Sequence, residues 1–82
     1  MNIRLHPHAL TRLAERGASE AEVLDTVKTG ESFPVKLERT GFRRNFAYNE
    51  IWRGKWYATK QVEAITVPEN GWLVITVVVK FF

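Results

Sequence analysis

The chain has 82 residues, 45% of them hydrophobic, no cysteine, and a formal net charge of +3. That length supports one small core, and that apolar content excludes a disordered chain. The missing thiols exclude disulfides and thiolate metal sites, no leader peptide is legible, and the longest apolar run, Leu73 to Val79, has strand length rather than the ~20 residues of a membrane span; a single cytoplasmic domain spanning 1–82, away from membranes, is expected.

The first helix is predicted to begin at His6 or Pro7, since proline suits the first helical position, and to stop at Gly17, a residue suited to a left-handed cap. On a helical wheel, Ala9, Leu10, Leu13 and Ala14 form the apolar arc. His8, Arg12 and Arg16, spaced four apart, stack as a charged stripe along its border. Ser19 with Glu22 three residues on forms a capping box that opens a second helix, with Val23, Leu24 and Val27 on one face and Gly30 at its end.

After Gly30 the period changes to two. Phe33, Val35 and Leu37 alternate with polar residues, Pro34 marks an edge strand, and Arg39-Thr40-Gly41 is expected to turn the chain. Phe42, Arg44, Phe46 and Tyr48 make a second strand, and a turn follows near Arg53-Gly54. A third strand lies within Lys55 to Val67, its phase open and a bulge allowed. Pro68-Glu69-Asn70-Gly71 is a turn, with Asn-Gly suited to positive φ. In the last strand, Leu73, Ile75, Val77, Val79 and Phe81 are expected to face the helices. The expected fold is α+β: an N-terminal helical hairpin on one face of a four-stranded antiparallel meander sheet, with a second face of Arg, Asn, Thr and Lys.

The stripe His8, Arg12 and Arg16 reads two ways. Arginine stems lie along a sheet edge and pair with acids such as Glu15, Glu20 or Glu63; alternatively, two guanidiniums clamp a phosphate while the imidazole moves a proton. The basic middle of the chain, including Arg43, Arg44, Arg53 and Lys60, interleaves with aromatics, as an RNA-binding surface does and as any two-faced strand does. An acidic protein partner also suits it. His6 and His8 have no neighbouring acid or thiol to complete a metal site, and no cofactor motif is present.

The segment HPHALTRLAERGASEAEVLDTV and the closing Val74-Ile75-Thr76-Val77 run together resemble a family of small bacterial and cyanobacterial proteins of unknown function. That family is similar to the RelE/ParE and BrnT toxins of type II toxin–antitoxin systems. The resemblance implies a helical hairpin followed by an antiparallel sheet, and a metal-independent endoribonuclease neutralised by an antitoxin protein. It places His8, Arg12, Arg16 and Thr76 in the catalytic site, and Lys80 shares the strand face of Thr76 as a further RNA contact. The chain departs from ribosome-dependent members in its ending, Lys80-Phe81-Phe82, where a C-terminal helix is expected. A non-enzymatic binding module and a purely structural domain are the competing readings.

Overall fold

A computed structural model describes residues 2–82. Strand β1 (Ile3–Leu5) leads into helix α1 (Pro7–Arg16) and helix α2 (Glu20–Thr29). Strands β2 (Glu31–Val35), β3 (Arg39–Trp52), β4 (Lys55–Pro68) and β5 (Trp72–Phe81) follow. They form one five-stranded sheet in the order β1-β5-β4-β3-β2. The pairs from β2 to β5 are antiparallel, as short hairpins require, and β1 pairs parallel with β5. Helix α1 packs on β5 and α2 on β4 and β3. No helix among the described residues is long and apolar enough to cross a membrane.

The helix boundaries follow from the local chemistry already described. Pro7 opens α1 and Gly17 closes it at φ 83°. Ser19 and Glu22 cap each other's backbone N–H at 3.1 and 2.9 Å. The core lies between the helices and the sheet: Ala9, Leu13, Val23, Val27, Val62, Ala64, Val74 and Val77. On β4, Val62, Ala64 and Thr66 are fully buried, which settles that strand's phase.

Four expectations need correction. The sheet has five strands and is mixed, because Ile3–Leu5 docks beside the last strand; three residues are too few to show a period. The turn after β2 falls at Lys36-Leu37-Glu38, with Leu37 and Glu38 at φ 65° and 59°. Arg39 and Thr40 are already paired to Val35 and Pro34, so Leu37 is left 79% exposed instead of buried. In α1 the buried line is narrower than the apolar arc: Ala9 and Leu13 are buried, whereas Leu10 is 46% exposed and Ala14 faces solvent.

The fourth correction concerns β5. Ile65 pairs with Thr76 and Thr66 with Val74, so β5 carries one extra residue at Ile75. Such a bulge shifts the side-chain alternation by one. Val74 is therefore buried before it and Val77 after it. Trp72 packs on the core edge-on to Phe42, and Leu73 turns to the other face.

That other face carries Arg43, Asn45, Thr76 and Lys80, the residue types expected there. Register places Arg43 and Glu63 on it together with Phe33 and Ile65. Its Arg43 guanidinium lies 4.4 Å from the Phe33 ring centroid. Gly41 sits beneath the same ring, where a Cβ would overlap it.

The β4–β5 turn anchors the N-terminal strand. Trp72 donates its N–H to the Asn2 carbonyl at 2.8 Å, and the Asn2 amide donates to the Asn70 carbonyl at 2.9 Å. Gly71 has φ 100°, and a Cβ there would collide with the Asn2 carbonyl. Gly71→Ala is expected to cost about 2 kcal/mol or more of stability, measured by urea unfolding, because strain and lost β1 docking act together.

Candidate functional site

Helix α1 runs beside the outer edge of β5, and its stripe meets that strand at the bulge. A cleft of about 150 Å³ is lined by His8, Ala9, Arg12, Arg16, Ile75, Thr76 and Val77. All four residues assigned to a catalytic site, His8, Arg12, Arg16 and Thr76, thus border one cleft. They come from two elements far apart in sequence, brought together by packing of Ala9 and Leu13 against the β5 side of the core.

The four side chains are not equivalent. Around α1, Arg16 lies nearest to the buried line through Ala9 and Leu13. Its guanidinium donates to the Val77 backbone carbonyl, tying the helix to the strand. Arg12 is more than half exposed and has only a 4.0 Å contact with Glu15, three residues on. The His8 ring is exposed, with its centroid 5.8 Å from that of His6. His6 accepts the His8 backbone N–H on Nδ1 at 3.1 Å, which caps the helix and fixes the chain entering it. Thr76 is exposed beside the bulge. His8, Arg12 and Thr76 are therefore accessible to a ligand, while Arg16 already has a backbone partner.

The cations assigned to RNA are distributed around the molecule, and each has an intramolecular partner. Arg43 pairs with Glu31 at 3.1 Å on the helix-free face. Arg44 pairs with Asp25 and also reaches Thr29 on α2. Lys80 pairs with Glu63 at 3.2 Å. Arg53 donates to the Glu15 backbone carbonyl at 2.7 Å, at the C-terminal end of α1. Lys60 is only 7% exposed; its ammonium donates to the Gly17 carbonyl and to Glu22, each at 2.9 Å. Lys60 belongs to the helix–sheet seam, and its shared parity with Val62 and Ala64 is the signal that marks it as inward-facing.

Glu22 has two duties, the α2 cap and the Lys60 pair. Burial pushes its pKa up, but the Lys60 hydrogen bond, the Ser19 backbone N–H and the Lys60 charge outweigh burial and hold it below 4.5.

A second cleft, of about 320 Å³, adjoins the first across Arg16. Glu15, Arg16, Trp52, Arg53, Val78, Val79 and Phe81 line it. Trp52 and Phe81 stack at 5.0 Å with a 15° interplanar angle. Gly17 fits against them: a Cβ there would sit 2.9 Å from the Trp52 ring and 3.0 Å from Phe81. Sequence reasoning does not reveal this cleft, because three distant chain ends form it: the α1 terminus, the β3–β4 tip and the end of β5. Among the described residues, no group of three metal-ligating side chains comes together. Comparison with protein-family models, curated proteins and solved structures finds no match to this chain.

The inequality within the stripe is measurable. Arg16→Ala should lower stability by about 1.5–3 kcal/mol in chemical unfolding, the range for a hydrogen bond from a charged donor. Arg12→Ala should change it by less than about 0.5 kcal/mol.

The lowered Glu22 pKa makes a signed pH prediction. Its stabilisation is fully present above the unfolded value and is lost as pH falls below 4.5 through the folded value. Urea midpoints measured across that window should decline in the wild type, and the decline should flatten in Lys60→Met.

Proposed function

We propose that the cleft between α1 and the β5 bulge binds a phosphodiester of RNA, and that the protein is a toxin-like endoribonuclease that needs no metal ion. The observation that supports this reading is the convergence of His8, Arg12, Arg16 and Thr76 on one open cleft. The resemblance of α1 and β5 to RelE/ParE- and BrnT-type toxins points the same way.

In this reading the exposed Arg12 guanidinium meets the non-bridging phosphate oxygens and stabilises the charge that grows on them. Thr76 borders the cleft from the strand edge at the bulge. His8 accepts the proton of the ribose 2′-hydroxyl, and the freed oxygen attacks phosphorus. The bond to the 5′ oxygen breaks, and that oxygen takes a proton from water. The products are a 2′,3′-cyclic phosphate and a 5′-hydroxyl end. Arg16 holds α1 against β5 at Val77 and so keeps His8 and Arg12 beside the strand edge.

A non-enzymatic module of the same fold is the second reading. It is favoured by the intramolecular partners of Arg16, Arg43, Arg44, Lys60 and Lys80, which leave few free cations to follow an RNA backbone.

Incubation of purified protein with single-stranded RNA in excess EDTA separates the two. Cleavage yielding cyclic-phosphate ends is expected, with His8→Ala and Arg12→Ala each reducing the rate ~100-fold or more without loss of fold. RNA left intact by the wild type would overturn the enzymatic reading.

A further inference from the structure

Strand β5 has two sides. On one, β4 pairs with it from Trp72 to Phe81. On the other, β1 covers only Trp72 to Val74. Two single bonds follow: His6 donates its N–H to the Val74 carbonyl at 2.8 Å, and Arg16 donates to that of Val77. From Val77 to Phe81, no strand among the described residues lies on that side.

Antiparallel alternation shows which groups face outward. Thr59 and Phe82 exchange N–H···O bonds at 2.7 and 3.0 Å, so Phe82 turns its backbone toward β4. Lys80 and Val78 share that direction, and Val77, Val79 and Phe81 turn theirs away. The Arg16 bond to the Val77 carbonyl agrees with this assignment. The outer edge thus offers a short row of N–H and C=O groups at strand spacing.

This row borders both clefts. Ile75, Thr76 and Val77 line one, and Val78 and Val79 line the other. Consecutive strand residues point to opposite faces, so both clefts open on the strand's edge and form one groove crossed by Arg16. Its charged groups are Arg12, Arg16 and Arg53, with Glu15 as the one carboxylate. Glu15 is already near Arg12, so the groove is net positive.

The aromatic part of the groove is self-engaged. Trp52 carries Phe81 stacked on it, and the Arg53 guanidinium lies 5.0 Å from its ring centroid. A nucleotide base would have to displace one of these, whereas a peptide strand needs only the free backbone row.

We propose that the outer edge of β5, from Val77 to Phe81, is a docking site for an extended acidic segment of a partner protein, which joins the sheet as a further strand. Backbone bonds at Val79 and Phe81 hold it. Its acidic side chains on the helix side meet Arg16 and Arg53, and its aliphatic side chains lie beside Val78 on the other. A segment continuing toward the bulge covers His8 and Arg12. The docking site stands independently of the ribonuclease reading, since it rests on the edge and its charge.

The probe is a capped, strand-length peptide of alternating Glu and Val, titrated into isotope-labelled protein at low salt. Saturable binding is expected, with slowed hydrogen exchange at the Val79 and Phe81 amides. Of two versions N-methylated on the odd or on the even residues, the one methylated on its protein-facing side should bind ~tenfold more weakly or worse. Val79→Pro removes an outward N–H but no bond to β4, so it should weaken binding while keeping the native circular dichroism spectrum. The proposal is overturned if the peptide does not bind, or if both methylated versions bind like the parent. It is also overturned if those amides are protected by a second copy as protein concentration rises, or by single-stranded RNA and not by the peptide. RNA cleavage measured without peptide reports on the ribonuclease reading separately.

Discussion

At Ile75, strand β5 holds one more residue than β4 opposite it, and much of the molecule's arrangement follows from that insertion. Before the bulge, Trp72 and Val74 turn toward the helices; after it, Val77, Val79 and Phe81 do. A strand that alternates without interruption serves only one of these sets. The bulge lets the same strand pack Phe42 at one end and stack on Trp52 at the other. It also falls just past the end of β1, where α1 takes over as the neighbour of β5. Bulges bend a strand and re-aim side chains; here the bulge lies on the border of the cleft that His8 and Arg12 also line.

Four of the chain's twelve Lys and Arg side chains neutralise the acidic flank of α2 and the sheet's own carboxylates. Arg44 and Lys60 reach α2 through Asp25 and Glu22, while Arg43 and Lys80 pair with Glu31 and Glu63 across adjacent strands. The acidic side of α2 and the basic strands β3 and β4 meet in one seam. Exposed pairs of this kind contribute little each. The Lys60–Glu22 pair differs, because Lys60 is buried and Glu22 also caps α2. Removing either partner strands the other in a poorly solvated place. Arg12, Arg16 and Arg53 outnumber the one carboxylate, Glu15, along the two clefts.

Features of the fold set by nearest neighbours were legible in the sequence. Pro7 and Gly17 bound α1, Ser19 and Glu22 open α2, Pro34 marks the edge strand, and Asn70-Gly71 carries positive φ. Features set by distant partners were not. Ile3–Leu5 has no period of its own and becomes a strand only because β5 offers it an edge. The odd positions of β5 read as a uniform apolar face, and nothing local announces that Leu73 and Ile75 belong to a different phase from Val77. The spacing of four groups His8, Arg12 and Arg16 on one helix border, whereas Thr76 joins them only through the resemblance; all four line one cleft. The difference between Arg12 and Arg16 depends on a backbone carbonyl sixty-one residues away, which no helical wheel contains.

The two edges of the sheet are built differently. The β2 edge is five residues long and carries Pro34, which lacks an N–H to offer a passing strand. The β5 edge has no proline, and its shield is Arg16, whose guanidinium meets the Val77 carbonyl. A side chain that satisfies an acceptor while bringing positive charge to it treats incoming strands unequally. It leaves the N–H groups of Val79 and Phe81 without a partner strand and repels a basic edge while attracting an acidic one. A second copy of this chain would bring its own Arg16, Arg53 and Lys80 to the same place, so like charge disfavours edge-to-edge self-association. The same residue that ties α1 to the sheet therefore also biases which partners the open edge accepts, and both effects act at the cleft that His8 and Arg12 border.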